Sequence, residues 1–195
     1  CSFTVMAAAA RDGWKGFRGM VRTGEFRIYT LFTVLAVGGV WIDLMRGGMG
    51  AGTALRQSSF NVVSMLSCCG YATSDFHAWP PLSLSVIFAC TVVGGCWGSA
   101  AGGMKQVRLL VCLKLLAYTI RRFVRPKSVE RLRLDDEVLQ ASTMSSVLAM
   151  VLLWLLTILV GGMVIALDQR LSFIGALSAS ASMLGNCGPA MVLVH

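Results

Sequence analysis

Charged residues are scarce in this sequence. They make up 13% of its 195 residues, whereas hydrophobic residues make up 56%. A soluble domain normally carries about 25% charged residues, so this chain has too little polar surface to keep a globule in water. We therefore expect a lipid bilayer to be its solvent. The chain also has no initiator methionine, and residues 1–25 lack the pattern of a signal peptide, so we expect it to be a piece of a longer protein.

The residues that most often build catalytic or metal sites are few as well. The two histidines, His77 and His195, lie far apart in the chain, and the seven cysteines do not show the Cys-x-x-Cys spacing that zinc needs. No acid pair or Ser/His/Asp set stands out. We therefore expect no enzyme activity and no cofactor. One alternative is a membrane thiol oxidoreductase built around Cys68, Cys69 and Cys96, although adjacent cysteines make strained disulfides.

Positive charge is confined to two segments. Of the 17 Lys and Arg residues, five lie in residues 1–27 and nine in residues 105–133. A basic patch could bind nucleic acid, but the cytoplasmic loops of membrane proteins carry the same excess of Lys and Arg. The second explanation predicts that residues 1–25 and 105–137 are cytoplasmic and that the chain does not bind nucleic acid.

The lengths of the apolar runs predict an all-α membrane protein. Residues 26–45 supply the ~20 residues that cross a bilayer, and another crossing is expected from residue 138 or 144 to 167. Pro126 predicts the end of one helix, and the acidic residues 135–137 predict the start of the next. Residues 54–66 and 171–184 are apolar but too short to cross. We interpret both as half-helices that dip into the membrane from the outer side.

The end of each half-helix carries the same short motif. Residues 64–71 read SMLSCCGY and residues 182–189 read SMLGNCGP, with five of the first seven positions identical. A half-helix followed by a short glycine-containing stretch can aim backbone carbonyls at a dehydrated cation. The residues in this role would be Ser67, Cys68, Cys69, Gly70, Tyr71, Asn186, Cys187 and Gly188. Potassium would bind the backbone oxygens of residues 68–70 and 186–188.

Between the two motifs, residues 82–125 form a crossing that five glycines interrupt within residues 94–103. Unwound backbone at membrane depth is tolerated where it is buried in protein or lines a watery cavity. Close helix packing through small residues is the alternative explanation.

Three motifs in order resemble the Trk/Ktr/HKT superfamily of cation transporters, and most closely the bacterial TrkH-type subunits. They are SCCGYATSDF at residues 67–76, GGCWGSAAGGMK at 94–105 and LGNCGP at 184–189. The positions that depart from the family pattern are Cys68, Cys69, Ala100 and Gly185.

The resemblance implies four helix–pore-loop–helix repeats around one pore, of which this chain holds the third and a truncated fourth. Residues 1–25 would be a connector and residues 26–125 repeat three, with its pore helix and filter at 54–71. Residues 126–143 would form a cytoplasmic loop, and residues 144–195 repeat four, with its pore helix and filter at 171–189.

The resemblance also implies K⁺ transport in the bacterial inner membrane, a homodimer, and a cytoplasmic nucleotide-binding regulatory subunit as partner. The interruption would be, by the same resemblance, an intramembrane gate beneath the filter, which Lys105 would help to fix. The residues of this gate would be Gly94, Gly95, Gly98, Ser99, Gly102, Gly103 and Lys105. A Na⁺-permeable pore and a non-conducting fragment are the other functions that this resemblance leaves open.

Overall fold

The computed structural model describes residues 11, 24–75, 78–96, 99–124, 133–134, 137–138, 141–167 and 172–189. Six helices account for nearly all of this part. They are α1 (Gly24–Arg46), α2 (Ala51–Leu66), α3 (Pro81–Val93), α4 (Gln106–Val124), α5 (Ala141–Ala166) and α6 (Phe173–Gly185). The all-α prediction is confirmed for the part of the chain that the structure describes, apart from one pair of two-residue strands.

Two helices in the described ranges are long and apolar enough to cross a membrane, at Phe26–Arg46 and Thr143–Ala166. The two candidate half-helices are shorter. Helix α2 has 16 residues and α6 has 13, which is about 24 and 20 Å at 1.5 Å per residue. Helix α2 begins at Ala51, three residues before the predicted start. Gly52 therefore lies in its first turn and not in the preceding loop.

The two strands correct one boundary. Arg133–Leu134 (β1) pairs antiparallel with Glu137–Val138 (β2), with Leu134 opposite Glu137. The acidic triplet at residues 135–137 was expected to start the next helix, and that expectation is wrong, since α5 begins at Ala141. Glu137 lies in β2 instead, where strand pairing outweighs the preference of acidic residues for a first helical turn.

The core lies where α1, α2 and α3 meet. Val40, Leu44, Val62, Leu66 and Cys90 are each at most 3% exposed there. Two polar contacts join the same helices. The Trp41 indole donates to the Ala51 carbonyl at 3.1 Å. The Asp43 carboxylate accepts from the backbone amide and hydroxyl of Ser83 at 3.0 and 2.6 Å, which caps the start of α3.

Helix α6 packs against α5 through small residues. An added Cβ on Gly161 would meet the Ser180 hydroxyl, and one on Gly162 would lie 3.0 Å from Leu177 Cδ1. The Ser180 hydroxyl donates to the Ile158 carbonyl at 2.9 Å. Small residues allow two helix backbones to approach closely, which is the usual basis of helix packing in membranes. Helix α6 also contacts α3, so it joins α5 to the first group of helices.

Candidate functional site

The two half-helices end in the same hydrogen-bonded turn. Each ends in a Schellman motif, in which two amides beyond the helix bond back to carbonyls of its last turn. In α2 the Cys68 amide donates to Met65 at 3.1 Å and the Cys69 amide to Ser64 at 3.0 Å. The equivalent pairs in α6, all 118 positions later, are Asn186 to Met183 at 3.1 Å and Cys187 to Ser182 at 2.9 Å. The repeat in the sequence is therefore also a repeat in backbone structure.

Backbone conformation follows the same repeat. Cys68 and Asn186 have φ values of 55° and 53°, and Gly70 and Gly188 have φ values of 75° and 97°. Glycine adopts positive φ without strain and Asn does so readily. Cysteine does not, so Cys68 is held in the left-handed region at a cost of about 1–2 kcal/mol.

The residues that follow the two half-helices, 67–71 and 186–189, are called the filter-like segments, and the two segments contact each other. A Cβ built on Gly70 would collide with the carbonyl oxygen of Cys187 and lie 2.9 Å from Pro189 Cδ. The Cys187 thiol donates to the Met65 carbonyl at 3.7 Å, and the Cys68 amide donates to the same carbonyl at 3.1 Å. Residues more than 110 positions apart thus meet at one place, where Gly70 has no room for a side chain.

The glycine-rich interruption lies against the ends of both half-helices. A Cβ on Gly95 would lie 3.7 Å from the Leu66 carbonyl at the end of α2, and one on Gly102 would collide with the Gly185 carbonyl at the end of α6. The Cys68 thiol is also hydrogen-bonded to the backbone of Gly102. The loop from residue 94 to 103 therefore contacts both filter-like segments.

The start and the end of this loop, at residues 92–95 and 103–106, lie side by side and form its neck, which hydrogen bonds hold together. The amides of Met104 and Lys105 donate to the carbonyls of Val92 and Val93 at 3.1 and 3.0 Å. These are carbonyls of the last turn of α3, which a helix leaves unpaired unless something caps them. Lys105 reaches this position with a φ of 68°. The chain thus leaves α3 and returns beside it without leaving these carbonyls unpaired in an apolar region.

Two glycines allow the start and the end of the loop to lie close together. A Cβ on Gly94 would lie 3.0 Å from Gly103 Cα, and both residues have positive φ, at 66° and 80°. Gln106 follows them, with its amide 3.3 Å from the Gly95 carbonyl and its side-chain nitrogen 3.4 Å from the Gly94 carbonyl. Gly94, Gly95, Gly102, Gly103 and Lys105 all lie in this loop or its neck, as does Ser99, whose hydroxyl donates to the Cys96 carbonyl at 2.6 Å.

Of the other predicted site residues, Tyr71 is 73% exposed and points away from the described core. The Ser67 hydroxyl donates to the Val63 carbonyl at 2.7 Å, so it caps α2. Gly98 lies outside the described residues, as do the two histidines. No group of three or more His, Cys, Asp or Glu side chains able to hold a metal ion occurs in the described ranges.

Sequence reasoning missed Asn61. Its side chain is fully buried in α2 and its amide donates to the Gln57 carbonyl at 2.8 Å, to the Ser74 hydroxyl at 3.2 Å and to the Thr73 hydroxyl at 3.4 Å. Asn61 therefore holds the segment that leaves the first filter against the half-helix. The available signal was a side-chain amide in a mostly apolar segment, because a buried amide must find hydrogen-bond partners.

The sequence of this chain matches a known protein family. The profile of the TrkH family, described as "Cation transport protein", matches residues 26–191. This chain belongs to the TrkH family. It is 32% identical over 173 residues to the Trk system potassium uptake protein TrkI of Halomonas elongata, an alignment that covers 88% of this chain and 35% of the relative. It is 34% identical over 142 residues to TrkH of the same organism, covering 70% and 28%.

The fold also matches a solved member of the family. The crystal structure of the potassium transporter TrkH from Vibrio parahaemolyticus aligns with a TM-score of 0.91 and 26% identity over 100% of this chain and 42% of that one. The chain thus spans about a third of the curated relatives. Membership of the TrkH family confirms the predicted resemblance and makes the chain an integral membrane protein. It also confirms that the chain is not an enzyme, because the relatives are transporters, so the oxidoreductase alternative is not supported.

Proposed function

We propose that this chain forms half of a cation pathway in a Trk-type potassium uptake protein, with the two filter-like segments lining it. The observation that carries this proposal is the meeting of two identical backbone turns, where Gly70 lies against the carbonyl of Cys187. Each turn follows a half-helix whose C-terminal end bears partial negative charge, which favours a cation. Matched relatives from Halomonas elongata are named potassium uptake proteins, which supports K⁺ as the ion.

Backbone carbonyls suit this role better than side chains here. No cluster of acidic side chains lies at the described filter residues, so an ion shedding its water would take oxygens from residues 68–70 and 186–188. Both filter-like segments of this chain retain their glycine, Gly70 and Gly188. By the resemblance to the family, retained filter glycines favour K⁺ over Na⁺ as the transported ion. The remainder of the ring would come from the portion of the protein that this chain does not include.

The loop from residue 94 to 103 would act as the gate of this pathway. Support comes from its contacts with both half-helix ends and from the hydrogen bonds at its neck, which pair the last carbonyls of α3 in an apolar region. Lys105 would fix the neck through its backbone bond to Val93. Residues 1–25 and 105–137 would face the cytoplasm of the inner membrane, where the regulatory nucleotide-binding subunit would bind a homodimer.

The test uses the intact protein in cells that lack their own potassium uptake. We expect Rb⁺ uptake that K⁺ inhibits and Na⁺ does not, and we expect Gly70→Asp to abolish it, since both space and φ exclude a side chain there. Gly48→Asp is the matched control, because Gly48 also has a positive φ, of 88°, but is open to solvent with no atom within 4 Å of an added Cβ.

Normal uptake in the Gly70→Asp variant would refute the filter assignment. Uptake that Na⁺ inhibits as strongly as K⁺ would establish the Na⁺-permeable alternative instead. Absence of uptake by the unmodified protein, when it is inserted in the membrane, would establish a non-conducting protein.

A further inference from the structure

The two filter-like segments are joined by their cysteine side chains. Cys68 follows α2 and Cys187 follows α6, 119 positions later. The Cys68 amide and the Cys187 thiol both donate to the Met65 carbonyl, at 3.1 and 3.7 Å, and the two thiols interact there. Cys187 is buried and Cys68 half-buried. Two thiols that converge from separate parts of the chain form a different arrangement from the single cysteines at positions 90 and 112.

Polar backbone atoms surround the thiol pair. The Cys187 thiol lies 3.7 Å from the Met65 carbonyl and 3.9 Å from the Gly185 carbonyl, and the Cys68 thiol is hydrogen-bonded to the Gly102 backbone. The pair therefore touches both half-helix ends and the loop between α3 and α4. Any ion bound by both sulfurs would link these three parts.

We propose that Cys68 and Cys187 form a binding site for soft monovalent cations, such as Ag⁺ or Cu⁺, and that occupancy blocks ion passage. Thiolates select soft ions of this type, which accept two ligands, whereas zinc needs about four. No third His, Cys, Asp or Glu side chain completes a cluster in the described residues, so the pair is suited to a two-coordinate ion.

Binding involves no electron transfer. Each sulfur that binds as a thiolate releases one proton to water, and the sulfur–metal bond replaces the sulfur–hydrogen bond. The blocking step rests on the proposed transport function, because a monovalent cation would reach the thiols through the same pathway as K⁺. The binding step does not depend on transport.

The binding test uses the purified intact protein in chloride-free buffer with silver nitrate. At one equivalent of Ag⁺ we expect Cys68 and Cys187 to be protected together from alkylation, as read by peptide mass spectrometry. Cys68→Ser and Cys187→Ser should each raise the half-saturating Ag⁺ concentration by at least about tenfold, because even the loss of a supporting residue costs about 10–100-fold in metal affinity.

Two controls separate the pair from other thiols. Cys112→Ser, on α4, removes a half-buried thiol outside the site and should alter neither Ag⁺ affinity nor basal uptake. Cys69→Ser removes the exposed neighbour of Cys68 and should keep the Ag⁺ affinity. Protection spread over Cys69 and Cys112, or unchanged affinity in both Cys68→Ser and Cys187→Ser, would overturn the proposal. Two single-site variants guard against one of them failing to fold.

A second arm measures Rb⁺ uptake into liposomes. We expect Ag⁺ to stop uptake by the unmodified protein and by Cys112→Ser at concentrations at least about tenfold below those that stop Cys68→Ser, by the same reasoning on ligand loss. Paired protection by Ag⁺ with undiminished Rb⁺ uptake would overturn the block. If the protein shows no Rb⁺ uptake at all, the transport proposal fails, while the alkylation result still decides the site.

Discussion

The two half-helix ends share a backbone and differ in how tightly they are held. At the end of α2, Gly70 is enclosed by the Cys187 carbonyl and Pro189, and the left-handed residue is Cys68. At the end of α6, an added Cβ on Gly188 meets no described atom within 4 Å, and the left-handed residue is Asn186. The same turn is thus strained and enclosed in one repeat, and relaxed and open in the other.

This difference shows that the turn is set by hydrogen bonds rather than by one residue type. The amides of the residues after each helix find the same two carbonyls, and that pattern requires a left-handed residue. Asn satisfies it at little cost, whereas Cys68 is kept there by surrounding contacts. One of these contacts is to the backbone of Gly102, so the strained turn contacts the candidate gate, as the end of α6 also does through Gly185.

The largest effect is expected from comparing Gly70→Ala with Gly188→Ala. Gly70→Ala should abolish Rb⁺ uptake and lower thermal stability, because its methyl group would occupy the position of the Cys187 carbonyl. Gly188→Ala should cost about 1–2 kcal/mol from its positive φ alone and retain part of the uptake. Rb⁺ uptake and thermal unfolding of the purified variants measure both. Equal loss in the two variants would show that the two ends are equally enclosed in the intact protein.

The next effect concerns the loop that touches both ends. Gly102→Ala should displace the loop from α6, because its methyl group would collide with the Gly185 carbonyl, and we expect Rb⁺ uptake to change severalfold. Gly52→Ala is the matched control, since Gly52 lies in α2 with open space around it. That variant should be neutral or stabilised by up to about 1 kcal/mol. Indistinguishable Rb⁺ uptake from these two variants would contradict the loop contact.

A smaller effect is expected from the polar contacts that hold each half-helix. Asn61→Ala removes the amide that bonds Ser74, Thr73 and Gln57, and should lower stability by about 1–3 kcal/mol. Ser180→Ala removes one hydrogen bond to Ile158 and should cost about 0.5–1.5 kcal/mol. Thermal unfolding in detergent compares the two. A larger loss in Ser180→Ala would mean that α6, and not α2, depends more on side-chain hydrogen bonds.

The smallest effect comes from exchanging the left-handed residues. Cys68→Asn should relieve strain and raise stability by up to about 1 kcal/mol, and Asn186→Cys should lower it by a similar amount, because Asn tolerates positive φ. Opposite signs in thermal unfolding would support the comparison. A loss of stability in both variants would show that the Cys68 hydrogen bonds outweigh its backbone strain.

Sequence reasoning reached the elements whose cause is local. The half-helices followed from their length, the repeated turns from the identical residues at positions 64–70 and 182–188, and the interruption after Val93 from its glycines. The described part of α4 ends at Val124, two residues before Pro126, and proline disfavours a helical residue before it. The loop boundary at α5 was placed incorrectly because acidic residues favour first helical turns, whereas Glu137 pairs with Leu134 in a strand.

Contacts between distant residues could not be predicted in this way. Nothing in the local sequence indicates that the amides of Met104 and Lys105 cap α3, or that Gly70 lies against Cys187. Both depend on how several helices pack. The cap that Asp43 provides for α3 is of the same kind, since the carboxylate and Ser83 are 40 residues apart.

The closed neck of the loop between α3 and α4 has a consequence for its motion. Its backbone bonds keep the last carbonyls of α3 occupied whatever the tip of the loop does. A shift of the tip would therefore leave these main-chain groups shielded from lipid, where each unpaired group costs several kcal/mol. The contacts that would resist displacement of the tip include those of Gly95 and Gly102 with the ends of α2 and α6, so a rearrangement at either helix end would change the position of the loop.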